Sequence, residues 1–151
     1  MDRFTRTALI GSGVLLVLLA LSLVPWGHWR LSPRIWQLND VLKQDPVLAD
    51  YPYDFRAVEF LRGIATLTRP YDAEVPAAIF LTTTDPALAG KPADDPALLA
   101  AEERLREHEM RAISLMLAEP DVSSVVWSLD RAWFGRRGIP LPSSHANFRP
   151  M

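Results

Sequence analysis

Apolar and polar residues recur along this chain with more than one spacing, and each change of spacing marks an element. From Ala8 to Trp26 there is no alternation at all: ALIGSGVLLVLLALSLVPW carries no charge at any position. At helical rise this stretch is about 28 Å long, close to the hydrocarbon thickness of a bilayer. A helix that is apolar on every face finds no burial in a small soluble domain, so residues 1–29 are expected to form a transmembrane anchor. Trp26, Trp29 and Trp36 are expected at the membrane interface, where amphipathic rings collect. Arg3 and Arg6 before the span nearly balance Arg30, Arg34 and Lys43 after it. The short N-terminal side would ordinarily stay cytoplasmic and send the rest across. Ala20-Leu21-Ser22 offers a passable cleavage site, so a removed signal peptide stays open as a second reading.

Beyond the span the spacing becomes helical. Ser32-Pro33 pairs a hydroxyl N-cap with a proline whose missing N–H costs nothing there. Ile35, Leu38 and Leu42 follow on one face until Asp45-Pro46. Two short runs, Phe55 to Phe60 and Ile64 to Thr68, are rich in β-branched and aromatic residues and flank Leu61-Arg62-Gly63, which predicts a hairpin. Residues 69–95 contain repeated Pro, Thr and Asp and read as an irregular insert, with Val75 to Leu81 apolar enough to pack back as one or two helical turns. Asp95-Pro96 repeats the cap-then-proline signal. Leu98, Ala101, Leu105, Ala112, Ile113 and Met116 then line one side of a helix that Pro120 must end. Val122 to Leu129 is a third strand with Val125, Trp127 and Leu129 on one face. The prediction is a small α+β domain over 30–139 in the order α-β-β-α-β, two layers deep, with both helices on one face of the sheet. Residues 140–151, with Pro140, Pro142 and Pro150, read as a flexible tail.

A length of 151 residues allows one such domain and its anchor. The net charge of −2 argues against a nucleic-acid partner. Charge is nonetheless uneven. Six acids face three bases between Lys91 and Glu109, whereas Arg131, Arg136, Arg137 and Arg149 occur with no acid from Arg131 onward. There is no cysteine, which excludes disulfides, thiolate metal sites and cysteine nucleophiles.

The element order resembles a BON domain, a small module of bacterial envelope proteins. Leu42 to Leu48 (LKQDPVL) is similar to the end of that family's first helix. Arg62 to Thr68 (RGIATLT) resembles its glycine turn and following strand, and Pro120 to Val125 (PDVSSV) the turn into its last strand. The chain departs from the family in carrying Asp121 where glycine is common and in the 69–95 insert. The resemblance implies an envelope location and binding of lipid, a small ligand or a protein, with no catalytic residue to carry over.

A search for chemistry is consistent with that. His28 suits the interface between two tryptophans, and His145 lies in the tail. His108-Glu109 begins like a zinc-protease helix, but Ala112 stands where the second ligand would be, so no metal is expected. Ser123, Ser124 and Ser128 lack a nucleophile elbow. Gly135 and Gly138 flank Arg136-Arg137 without the Lys-Ser/Thr of a phosphate loop. Asp94-Asp95 and Glu102-Glu103 read as caps and helix-start charges. No cofactor and no enzymatic activity are expected. What stands out is Arg131, Trp133, Phe134, Arg136 and Arg137, a basic and aromatic stretch suited to lipid headgroups or to a protein interface. The expectation is a single-pass protein of the bacterial inner membrane, its domain periplasmic, binding membrane lipid or another protein. The alternative is a structural accessory subunit of a larger membrane protein complex.

Overall fold

The computed structural model describes residues 32–141, so the expected anchor, Trp26, Trp29 and most of the tail lie outside the described residues. These residues form a small α+β domain with a three-stranded sheet. Helix α1 (Pro33–Gln44) buries Leu38 and Leu42. A single turn, α2 (Pro46–Ala49), follows at once because Asp45 caps it, accepting from the Val47 and Leu48 amides at 3.1 Å each. Strands β1 (Ala57–Leu61) and β2 (Ile64–Arg69) pair antiparallel through a two-residue turn. Arg62 (φ 50°) and Gly63 (φ 81°) both take the left-handed conformation that such tight hairpins demand. The insert is not structureless. It holds α3 (Ala77–Thr84) and a 3-10 turn at Pro86–Leu88, and it gives Val75, Phe80, Leu81 and Leu88 to the core.

Helix α4 (Pro96–Leu117) starts where Asp95 accepts from the Ala97 amide at 2.8 Å, and it buries Leu98, Leu105, Ala112 and Met116. Strand β3 (Ser124–Leu129) joins β2 in parallel, giving the order β1-β2-β3. Ala65 and Leu67 on the central strand are fully buried, and Val125 and Trp127 lie beside them in register. Side chains of α1 and α4 share this one core, as their two apolar stripes require. A last short helix, α5 (Arg131–Gly135), was not foreseen from the sequence; Asp130 caps it by accepting from the Trp133 amide at 2.9 Å.

Because β2 and β3 run the same way, the domain has two distinct ends. At one, the Ser123 and Ser124 amides donate to the Gly63 carbonyl (2.8 and 3.2 Å), and Arg34 at the start of α1 donates to Asp121 and Glu119. At the other, the Asp130 amide donates to the Arg69 carbonyl at 2.9 Å. Five steps of strand separate the two, roughly 16 Å. No helix among the described residues is long and apolar enough to cross a membrane.

Candidate functional site

The stretch singled out from the sequence splits in two. Trp133 and Phe134 are 4% and 0% exposed, so the aromatic half is core and offers no free ring to a partner. Their rings pack edge-on at 4.9 Å, and Phe80 of α3 meets Trp133 at 5.2 Å. Arg131, Arg136 and Arg137 lie at the surface. The Arg137 guanidinium stacks on Trp133, 3.9 Å from the ring centroid, and donates to the Trp133 carbonyl at 3.3 Å. Trp36, the described member of the expected interfacial set, is 57% exposed in the first turn of α1.

Arg136 and Arg137 open onto a cavity of about 410 Å³ that also draws in Tyr53, Arg56 and Asp130. Three residues here were missed from the sequence, and Asp130 organises them. One carboxylate oxygen caps α5; the other accepts from the Tyr53 hydroxyl (3.2 Å) and from Arg56 Nη2 (2.9 Å). The Asp130 side chain is buried and the Arg56 side chain is partly exposed, so the ion pair runs from the core to the opening. Burial pushes the Tyr53 phenol up, which keeps it a hydroxyl donor to Asp130. A signal for Asp130 was present, an Asp immediately before a helix. None existed for Arg56 or Tyr53, which reach the site only through the fold.

The electrostatics follow from occupancy. Asp130 already accepts from three donors and carries Arg56 as its counter-ion. Arg136 and Arg137 remain against Asp54 at the rim, leaving a concavity of positive balance. A guanidinium presents five N–H groups in a planar fork that matches a carboxylate or a phosphate. The arrangement suits binding an oxyanion.

Two other clusters are built differently. His108 Nδ1–H donates to the Arg104 carbonyl at 2.5 Å, and its ring stacks on Tyr51 with centroids 4.0 Å apart, so it has the partners of a structural histidine. Burial pushes the Tyr51 phenol up to about 12. Glu109, on the buried face of α4, accepts from the Tyr71 hydroxyl at 2.7 Å, while its second oxygen has no hydrogen-bond partner. Among the described residues no group of three His, Asp or Glu side chains is placed to hold a metal ion.

No family model matches this chain, and neither a curated protein nor a solved structure matches it.

Proposed function

We propose that this chain is a membrane-anchored, non-enzymatic envelope module whose cationic cavity binds an acidic protein partner. The anchor rests on the chargeless stretch from Ala8 to Trp26, which lipid accommodates and water does not. The reading also takes up the resemblance of the sequence to a BON domain, and the two long helices, α1 and α4, share the core of one small sheet. That resemblance implies an envelope location, and the span with Arg3 and Arg6 before it favours the bacterial inner membrane with a periplasmic domain.

The observation that carries the reading is where the cavity lies. The chain enters the domain at Pro33, beside Arg34, Asp121 and the hairpin turn; Arg136 and Arg137 follow β3 at the opposite end. A site at the far end of the sheet from its tether favours a partner approaching through the aqueous phase over headgroups of the anchoring bilayer. The forked, partly preorganised arginines favour carboxylate groups displayed on a surface.

The test uses the full chain in nanodiscs of neutral lipid and a fluorescent Glu-rich peptide. Saturable binding is expected, weakened about tenfold by Arg136→Ala with Arg137→Ala, as loss of two charge-assisted contacts implies. Equal peptide binding by the variant, or binding seen solely when anionic lipid replaces the neutral lipid, overturns it.

A second reading, a structural accessory subunit of a larger membrane complex, draws on the outer sheet face, where Val58 and Val126 are 48% and 44% exposed. Purification in mild detergent separates the two. A stoichiometric large partner supports the subunit; a monodisperse small particle counts against it.

A further inference from the structure

Of the ten large apolar side chains that are exposed among the described residues, four lie near the hairpin end of the domain. Leu61 (55% exposed) and Ile64 (41%) stand opposite each other at the mouth of the β1–β2 turn, on the sheet face turned away from the core. Trp36 (57%) is two residues past Arg34, and Leu117 (48%) is two residues before Glu119. Arg34 holds these pieces together: it donates to Glu119 at 2.6 Å and to Asp121 at 2.9 and 2.5 Å. The Asp121 carbonyl in turn lies against Gly63, 3.3 Å from where a Cβ would stand. Four apolar side chains from three separate stretches therefore gather at one end, the end at which the chain enters.

We infer that this end of the domain is a bilayer-contacting surface, with Leu61 and Ile64 at the hairpin tip seated in the lipid interface. The inference rests on the anchored reading proposed above. Its occupant follows from chain length: seven residue steps lie between Trp26, where the chargeless stretch closes, and Pro33. Fully extended they reach at most about 25 Å, so lipid is the surface nearest this end. Arg62 at the tip is exposed, and together with Arg34 it balances the charge of Glu119 and Asp121, both of which pair with Arg34. Aliphatic side chains with an arginine beside them, as at this hairpin tip, suit the boundary between headgroup and acyl chain. The cationic cavity then faces away from the membrane, which is how one domain serves a tether at one end and a partner at the other.

The chain contains no cysteine, so a single introduced thiol can be labelled uniquely. Leu61→Cys, Ile64→Cys and, as a reference on α5, Ala132→Cys are made in the full chain, labelled with a polarity-sensitive dye and reconstituted into phosphatidylcholine–phosphatidylglycerol vesicles. Nitroxide lipids then read depth. Quenching at 61 and 64 about threefold stronger than at 132 is expected, since interfacial groups sit roughly 5–10 Å into the boundary. If the protein floats with the vesicles but all three dyes report water alike, the tether stands and the seated hairpin is overturned. Should the labelled chain fail to float at all, both are overturned.

Discussion

Arg34 and Asp121, eighty-seven positions apart in the chain, form a forked ion pair with contacts of 2.9 and 2.5 Å. The pair fastens the start of α1 to the turn that feeds β3, and a third contact extends it to Glu119. Hydrogen bonding from Arg34 holds the Asp121 carboxyl below the usual carboxylate range. A carboxyl depressed in the folded state contributes stability above its unfolded value and loses it as pH falls through the folded one. Arg34→Ala is therefore expected to lower Tm by roughly 2–4 °C at neutral pH, a modest loss because the pair is partly solvated. The difference from the parent shrinks as the pH is taken down through the acidic range. Arg34→Lys, which keeps the charge and loses the fork, recovers part of the loss. Thermal unfolding followed by near-UV circular dichroism across pH checks this.

Glu109 has the opposite sign. Burial pushes its carboxyl up, against the Tyr71 hydrogen bond and the nearby Arg69 and Arg106 charges, which pull it down. A raised carboxyl leaves the folded protein holding a proton that the unfolded chain has released. Stability is then lost as pH rises from the unfolded value through the folded one. Glu109→Gln keeps an acceptor for the Tyr71 hydroxyl and removes that charge. Its Tm is expected to exceed the parent's at neutral pH and to converge with it in acid. A gap that is constant across pH sinks the assignment.

Gly63 tests the hairpin. Its φ of 81° is strained for any side chain, and a Cβ would lie 2.7 Å from Ser123 Oγ. Gly63→Ala is expected to cost about 1–2 kcal/mol. Adding Ser123→Ala removes the clash but not the backbone strain, so it restores part of the loss. Full restoration would mean that contact, and not φ, decides this position. Denaturant titration of the two variants separates the terms.

These residues also show what the sequence could reveal. The long helices were legible from Ser32-Pro33 and Asp95-Pro96, because cap and proline act within one turn of chain. Gly63 announced the hairpin for the same local reason. Strand edges were less legible: Phe55 and Val122 were expected inside strands, yet β1 begins at Ala57 and β3 at Ser124, where pairing to β2 begins. Helix α5 escaped because five residues are too few to show a period. Trp133 and Phe134 look, in sequence, like exposed anchors among arginines. It is Phe80, from the insert, that covers Trp133, and no local pattern carries that contact. Glu109 stands in sequence among the six acids between Lys91 and Glu109, although it lies four residues after Leu105 and three before Ala112, on the buried face. Its partner Tyr71 comes from another element.

The division of the basic stretch into scaffold and site makes the sharpest prediction. Trp133 is buried between Phe80 and Phe134 and forms the floor on which Arg137 lies. Trp133→Ala is expected to cost about 3–5 kcal/mol, the range for emptying a buried aromatic site, and Phe80→Ala a similar amount. Arg137→Ala loses a stacked guanidinium, about 1 kcal/mol, and Arg136→Ala, at the exposed rim, less than about 0.5 kcal/mol. Binding of the acidic peptide should rank the other way. Arg136→Ala weakens it while leaving unfolding almost untouched, and a Trp133→Phe variant that stays folded retains it. Denaturation midpoints and peptide titrations on the same five variants decide the matter: if stability and binding fall in the same order, the arginines act through the fold and the cavity is not a site.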